Sequence, residues 1–232
     1  EKMWITNGSI ADVAVVWART DDGVRGFLVE TSTPGFSTSD HKGKYSLRAS
    51  ITSQLVFEDC RLPASAMLPG TDGLRHALGC LNQARYGIAW GALGSALATF
   101  RASVDYAGER IQFSGRPIAA HQLVQEKLVW MYNEIAKGHL LAHQLGRLKD
   151  RGELRHEAVS LAKRNNVWVA RECAKLAREI HGANGIVSEY PIMRHLMNME
   201  TVVTYEGTHD IHTLVLGNYL TGIPAFEPPP EG

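Results

Sequence analysis

The chain has no surplus of charge: Lys and Arg together number 24, and so do Asp and Glu. Nothing electrostatic recruits nucleic acid or an anionic membrane, and neither is expected as a partner. Cysteine is scarce and odd in number. Cys60, Cys80 and Cys173 lie far apart, which argues against a disulfide framework or a zinc knuckle and for free thiols in a reducing compartment. No uninterrupted apolar run approaches the length of a bilayer span, and the N-terminus shows neither a signal-peptide nor a transit-peptide pattern. Acyl-enzyme chemistry has no G-x-S-x-G motif to rest on, and there is no internal repeat. What is present is a globular chain of 232 residues, 44% of them hydrophobic, enough for one large core or two modest ones. It opens on Glu1-Lys2-Met3 as if cut from something longer.

Residues 3–63 read as strands: Met3-Trp4-Ile5-Thr6, Val13-Ala14-Val15-Val16-Trp17, Gly26-Phe27-Leu28-Val29-Glu30 and residues 51–57. Turn signals at Thr6-Asn7-Gly8, Asp21-Asp22-Gly23 and Thr33-Pro34-Gly35 separate them. Alone, this antiparallel segment would leave open edges, so an upstream partner segment is expected. After Pro69-Gly70-Thr71-Asp72-Gly73 the period becomes helical, with Leu74, Leu78, Leu81, Ile88, Leu97, Phe100 and Val104 marking a long first helix. Pro117 is expected to open a second helix, a third runs from about Glu153 to Ile180, and a fourth follows Thr208. The predicted fold class is α+β. A partial antiparallel β domain (residues 1–72) is followed by an antiparallel four-helix bundle (73–222) and a proline-rich tail (223–232).

Several runs invite chemistry, and each also has a purely architectural explanation. Thr204-Tyr205-Glu206-Gly207-Thr208-His209-Asp210-Ile211-His212 puts one carboxylate before a Gly-Thr step that starts a helix, with Thr208 as its cap. Glu206 then sits on a fixed corner, suited to general-base work, or is simply an acid favoured by the helix dipole. In Arg110-Ile111-Gln112-Phe113-Ser114-Gly115-Arg116-Pro117, a guanidinium able to fork onto phosphate stands near an aromatic ring, within what is also an ordinary turn. His181-Gly182-Ala183-Asn184-Gly185 is a glycine C-cap whose small residues admit close ligand approach, but it lacks the G-x-G-x-x-G spacing of a dinucleotide fold. His139 and His143 lack a nearby acidic third ligand, and in the His209, Asp210 and His212 group the neighbouring positions 209 and 210 diverge around a helix, so no metal is expected. Arg85, Tyr86 and Trp90 line either a pocket wall or the core.

Taken together, Met3-Trp4-Ile5-Thr6-Asn7, Ser46-Leu47-Arg48-Ala49-Ser50, Ala84-Arg85-Tyr86-Gly87-Ile88, residues 110–122, residues 182–185 and Tyr205-Glu206-Gly207-Thr208-His209-Asp210-Ile211-His212 resemble the acyl-CoA dehydrogenase family. The last run and Arg85-Tyr86-Gly87-Ile88-Ala89-Trp90 are similar to its glutaryl-CoA dehydrogenase branch. The resemblance implies the end of a middle β domain followed by a C-terminal helical bundle of a homotetrameric FAD protein. By that likeness Glu206 is the base. Trp4, Ile5 and Thr6 lie beside the flavin ring, and Thr208 and Asp210 near FAD of the same subunit. Arg110, Phe113, Gln122, Glu179, Ile180, His181, Gly182 and Ala183 contact FAD of a neighbouring subunit. Leu78, Gly79, Cys80, Leu81, Asn82, Gln83, Ala84, Arg85, Gly207 and Phe226 line the acyl-CoA site, and Tyr205 stands near the substrate's distal end. Implied too are oxidative decarboxylation of glutaryl-CoA, with electron-transfer flavoprotein as acceptor, in bacterial cytoplasm or the mitochondrial matrix. A short-chain acyl-CoA dehydrogenase without decarboxylation and a non-catalytic assembly bundle remain the alternatives. Ser114 is an extra residue in the family's Arg-x-Gln-Phe-Gly-x-Pro run, and Ala183 replaces a glycine. The arginine that in this branch grips a distal carboxylate would lie before residue 1.

Overall fold

The computed structural model of the chain describes residues 1–113 and 115–225, so Ser114 and Phe226 lie outside the described residues. Contacts divide the chain into two units, Glu1–Leu81 and Asn82–Gly232.

The first unit runs through β1 (Lys2–Thr6), β2 (Val13–Thr20), β3 (Gly23–Glu30), β4 (Phe36–Asp40) and β5 (Thr52–Phe57). Strands β1, β5 and β4 form an antiparallel sheet in that order, while β2 and β3 pair as a hairpin closed at Gly23, whose φ is 100°. Val29 and Leu55 are buried, and Ser53 beside them is held by Asp40. Strand β4 is absent from the sequence reading because Phe36-Ser37-Thr38-Ser39-Asp40 has no apolar alternation. Its register comes instead from pairing with β5, with Phe36 against Phe57 at 5.2 Å. Between Lys2–Leu55 and Ile5–Ser53 the β1 register gains one residue, and in this bulge Trp4 takes a left-handed backbone with φ 61°.

Helix α1 (Arg75–Glu109) begins in the first unit and continues into the second, which also holds the hairpin β6 (Ile111–Gln112) and β7 (Arg116–Pro117). Helices α2 (Gln122–Asp150), α3 (His156–His181), α4 (Ile192–Thr204) and α5 (His209–Thr221) follow. Two expectations need correction. Pro117 does not open α2: it sits in β7 and leads into a 3₁₀ turn, Ile118–Ala120, before α2 starts at Gln122. Helix α4 was not foreseen either. It buries Ile192, Met199 and Val202 and takes its place beside α3.

Helix α3 is the centre of this unit, packing on α2, α4 and α5 through Val159, Ala162, Ala170, Cys173 and Ala177. Where α1, α2 and α3 cross, the buried amide of Asn166 donates to the Ala89 carbonyl at 2.9 Å and the Gly138 carbonyl at 3.4 Å. A polar group so placed is satisfied only if both neighbours keep their register. As expected, α3 ends at a glycine, Gly182, with φ 57°, and the chain winds on as a 3₁₀ turn, Gly182–Ile186. Within that turn a Cβ on Gly185 would stand 2.7 Å from the Arg178 carbonyl oxygen and 3.2 Å from its Cα, both backbone atoms that cannot swing aside. Gly185→Ala is therefore expected to cost about 1–3 kcal/mol of stability, as overpacking does, read as a fall in the urea midpoint at unchanged slope.

Candidate active site

Helix α4 ends at Thr204 with Tyr205 as its C-cap, α5 begins after Thr208, and the corner between them is made by Glu206 and Gly207. Thr208 caps α5 as the sequence predicts, its hydroxyl accepting from the Ile211 N–H at 3.1 Å. The turn requires left-handed backbone at both residues, φ 54° at Glu206 and 90° at Gly207. A Cβ on Gly207 would also stand 2.9 Å from His212 Nε2, so glycine is demanded by conformation and by space together. Glutamate in this conformation is strained, and such strain persists only where surrounding contacts enforce it.

Those contacts come from three side chains on three helices. Arg85 of α1 donates through Nε to the Glu206 carbonyl at 2.9 Å and through a terminal nitrogen to Asn82 at 3.3 Å. His212 of α5 meets the same carbonyl through Nε2 at 3.2 Å. Lys163 of α3, only 1% exposed, donates through Nζ to the Tyr205 carbonyl at 2.9 Å and to the Gly207 carbonyl at 2.7 Å. Every backbone carbonyl from Tyr205 to Gly207 is thereby held. The carboxylate is not: Glu206 Oε2 is buried without a hydrogen-bond partner among the described residues. A buried oxygen left without a partner is costly unless it has a task, and a free acceptor is what a general base needs.

Burial sets the charge states around it. Desolvation pulls Lys163 down to about 8, opposed by the neighbouring Glu206 charge and reinforced by Arg85. Burial, with the Lys163 and Arg85 charges, pushes His212 down to about 4, so its ring is neutral. A carbonyl only accepts, so Nε2 carries the ring proton, and Nδ1 is buried without a partner among the described residues. Burial, then the Glu206 charge, raises the Tyr205 hydroxyl, which stays protonated. Asp210 lies exposed in the first turn of α5. Leu78, Gly79, Cys80, Leu81, Gln83 and Ala84 are exposed on the opening turns of α1, while Asn82 and Arg85 are partly covered.

The second group of candidates gathers at the opposite end of the bundle. Arg110 follows the end of α1, Gln122 starts α2 and residues 179–183 end α3, about 35 Å along α1 from Arg85 at 1.5 Å per residue. Phe113 stands at the hairpin tip with φ 50°, 76% exposed, its ring edge-on to His121 at 5.7 Å. Glu179 pairs with Lys127 at 2.6 Å, which lowers its carboxyl. Ile180 and His181 are buried, the His181 ring stacked on Tyr106 at 4.3 Å, while Gly182 and Ala183 are exposed. In the first unit, Trp4 projects from its bulge 65% exposed and stacks on His41 at 4.3 Å, with Ile5 and Thr6 beside it on β1. Sequence reasoning did not single out Lys163 or Asn166. Their only sequence signal is a polar residue on the apolar stripe formed by Val159, Ala162 and Val169, easily read as a solvated helix face.

The chain matches the family models described as acyl-CoA dehydrogenase, middle domain, over residues 1–60 and acyl-CoA dehydrogenase, C-terminal domain, over residues 71–220. It is 36% identical to the mitochondrial short-chain specific acyl-CoA dehydrogenase of Homo sapiens, over 94% of this chain and 54% of that protein. Among solved structures, a glutaryl-CoA dehydrogenase from Mycobacterium smegmatis is 57% identical with a TM-score of 0.96. A glutaryl-CoA dehydrogenase from the same organism, in complex with FADH2, is 51% identical with a TM-score of 0.95. Each of these covers 97% of this chain, and this chain spans 58% of each. The chain belongs to the acyl-CoA dehydrogenase family, of whose members it spans a little over half.

The buried, neutral His212 gives this corner a pH dependence. The unfolded chain binds a proton at this ring below about 6.5 and the folded chain only below about 4, so between those values only the unfolded state gains the proton. Stability is lost as pH falls through that window. Between pH 7 and pH 5 the native protein is expected to lose about 2 kcal/mol more than His212→Gln, compared by urea midpoints at the two pH values.

Proposed function

We propose that this chain is the catalytic part of an FAD-dependent acyl-CoA dehydrogenase in which Glu206 removes the α-proton of a bound acyl-CoA thioester. The observation that carries this reading is the buried and unpartnered Glu206 Oε2 on a corner whose backbone is fully tied. The exposed groups suit the cofactor's chemistry. Trp4 offers an indole face to a ring system, Phe113 offers a second ring, and Arg110 is an exposed guanidinium without an ion-pair partner among the described residues, free to fork onto a diphosphate. FAD, when bound, supplies the acceptor for the hydride that leaves the β-carbon. Ile5 and Thr6 extend the Trp4 surface, Thr208 and Asp210 serve the flavin of the same subunit, and Gln122 and residues 179–183 join Arg110 and Phe113. Because this last group stands about 35 Å along α1 from the Glu206 corner, it serves the flavin of another copy, in keeping with a homotetramer.

The favoured substrate is glutaryl-CoA. Loss of the α-proton to Glu206 and of a β-hydride gives the glutaconyl thioester. Cleavage of the bond to its distal carboxylate then releases carbon dioxide, a proton takes that place on the γ-carbon, and crotonyl-CoA results. Residues 78–85 and Gly207 would line the thioester path, with Tyr205 towards its distal end. Electron-transfer flavoprotein would take the electrons onward, in bacterial cytoplasm or the mitochondrial matrix. Two glutaryl-CoA dehydrogenase structures above 50% identity support this choice, and so does the Tyr-Glu-Gly-Thr-His-Asp-Ile-His run. The 36% identity to a short-chain enzyme favours, as second reading, a dehydrogenase that stops at the enoyl product.

Anaerobic addition of glutaryl-CoA to the flavin-loaded protein is expected to bleach the flavin band and yield crotonyl-CoA with carbon dioxide. Bleaching by butyryl-CoA alone would move the protein to the second reading. In Glu206→Gln the reduction rate is expected to fall about 10²- to 10⁴-fold with flavin still bound, the range for a lost general base.

A further inference from the structure

The Glu206 corner contains more cationic donors than its carboxylate uses. Glu206 and Arg85 both stand close enough to Lys163 to act on its charge, yet the hydrogen-bond partners of Lys163 and Arg85 around the corner are main-chain carbonyls and Asn82. A lysine 1% exposed is rare without strong compensation, because desolvating an ammonium costs several kcal/mol. Here the compensation is two short hydrogen bonds to carbonyls 42 and 44 residues away, which bracket Glu206 on both sides. We propose that Lys163 is the positioning residue for the catalytic base: its single ammonium bridges the carbonyls before and after Glu206 and locks the left-handed turn that presents the carboxylate with Oε2 unpartnered.

Geometry favours Lys163 over its neighbours in this role. Arg85 and His212 both act on the one carbonyl of Glu206, so loss of either leaves the other in place. No other described side chain donates to the Tyr205 or Gly207 carbonyl. The Tyr205 carbonyl belongs to the peptide that enters Glu206 and the Gly207 carbonyl to the peptide that leaves Gly207, so these two planes fix both ends of the two-residue left-handed turn from which the Glu206 Cα–Cβ bond leaves. If they rotate, the carboxylate is displaced while α4, α5 and the Thr208 cap remain. A misplacement of about 1 Å at a reacting group costs on the order of 100-fold in rate.

The proposal rests on Glu206 acting as the base, and the test separates the two claims. Lys163→Met keeps the length of the stem and removes the donors, Lys163→Gln retains one neutral donor group, and Lys163→Arg restores charge with donors. In the flavin-loaded, full-length protein, Lys163→Met is expected to lower kcat about 10- to 100-fold with KM within about threefold, and Lys163→Arg to recover part of the loss. The isotope effect on flavin reduction with α-deuterated acyl-CoA should rise in Lys163→Met, because proton removal becomes the slower step. A loss confined to stability would move neither the kcat-against-KM split nor the isotope effect. Where Lys163→Met does not retain flavin, Lys163→Gln is read in its place. Unchanged kcat and isotope effect, or loss of flavin and helical structure in both neutral variants, would overturn the proposal by leaving Lys163 with no role or with folding alone. An unmodified protein that no acyl-CoA can bleach would instead remove the dehydrogenase reading, and the positioning role would fall with it.

Discussion

Glu206 occupies its corner because a buried ammonium spans the left-handed turn, holding the peptide that enters Glu206 and the peptide that leaves Gly207. A left-handed backbone costs a non-glycine residue about 1–2 kcal/mol, and here it is followed directly by a second positive-φ residue. The hydrogen bonds from Lys163 to the carbonyls of Tyr205 and Gly207 offset that cost. Other features follow from the same turn. Gly207 is glycine because the His212 ring fills the space of a side chain. His212 is neutral because it is buried against two cations. Helix α3 occupies the centre of its unit because Lys163 and Asn166, three residues apart on one face, must reach the corner and the crossing of α1 with α2.

Strain of this kind is not spread evenly through the chain. Among the described residues six non-glycines have positive φ, and three of them, Trp4, Phe113 and Glu206, are among those proposed for flavin or proton chemistry. Each stands where regular structure breaks: a bulge in β1, the tip of the β6–β7 hairpin, and the junction of α4 with α5. At each break the backbone re-aims a side chain that a regular element would have pointed elsewhere. For Trp4 and Phe113 the result is a largely exposed ring, and for Glu206 a carboxylate oxygen left without a partner among the described residues. Asn7, Leu47 and Asp59 share the conformation in loops of the first unit, without such an association.

Much of this was legible in the residues. The helical period after residue 73, the Thr208 cap and the glycine at the end of α3 are local signals, and local physics decides them. Where the reading missed, a non-local interaction decided. Strand β4 is polar in sequence and becomes a strand by pairing with β5. Pro117 fits a helix start but lies in a hairpin whose short strands close on Gln112 and Arg116. Helix α4 has few charges to mark its solvent face, and packing on α3 fixes it. Lys163 is the clearest case. A helical lysine is read as a solvated residue, and only its carbonyl partners more than 40 positions away make it part of the site.

The most direct test of Glu206 as a base acting on the thioester is α-proton exchange, which separates proton removal from hydride transfer. An acyl-CoA whose β-carbon has no hydride to give can be incubated in deuterated water with the flavin-loaded protein and followed by mass spectrometry. Deuterium entering at the α-carbon with the native protein, and at a rate at least about 100-fold lower with Glu206→Gln, is the expected result. Equal exchange by the two proteins would contradict it and assign the proton to a different group.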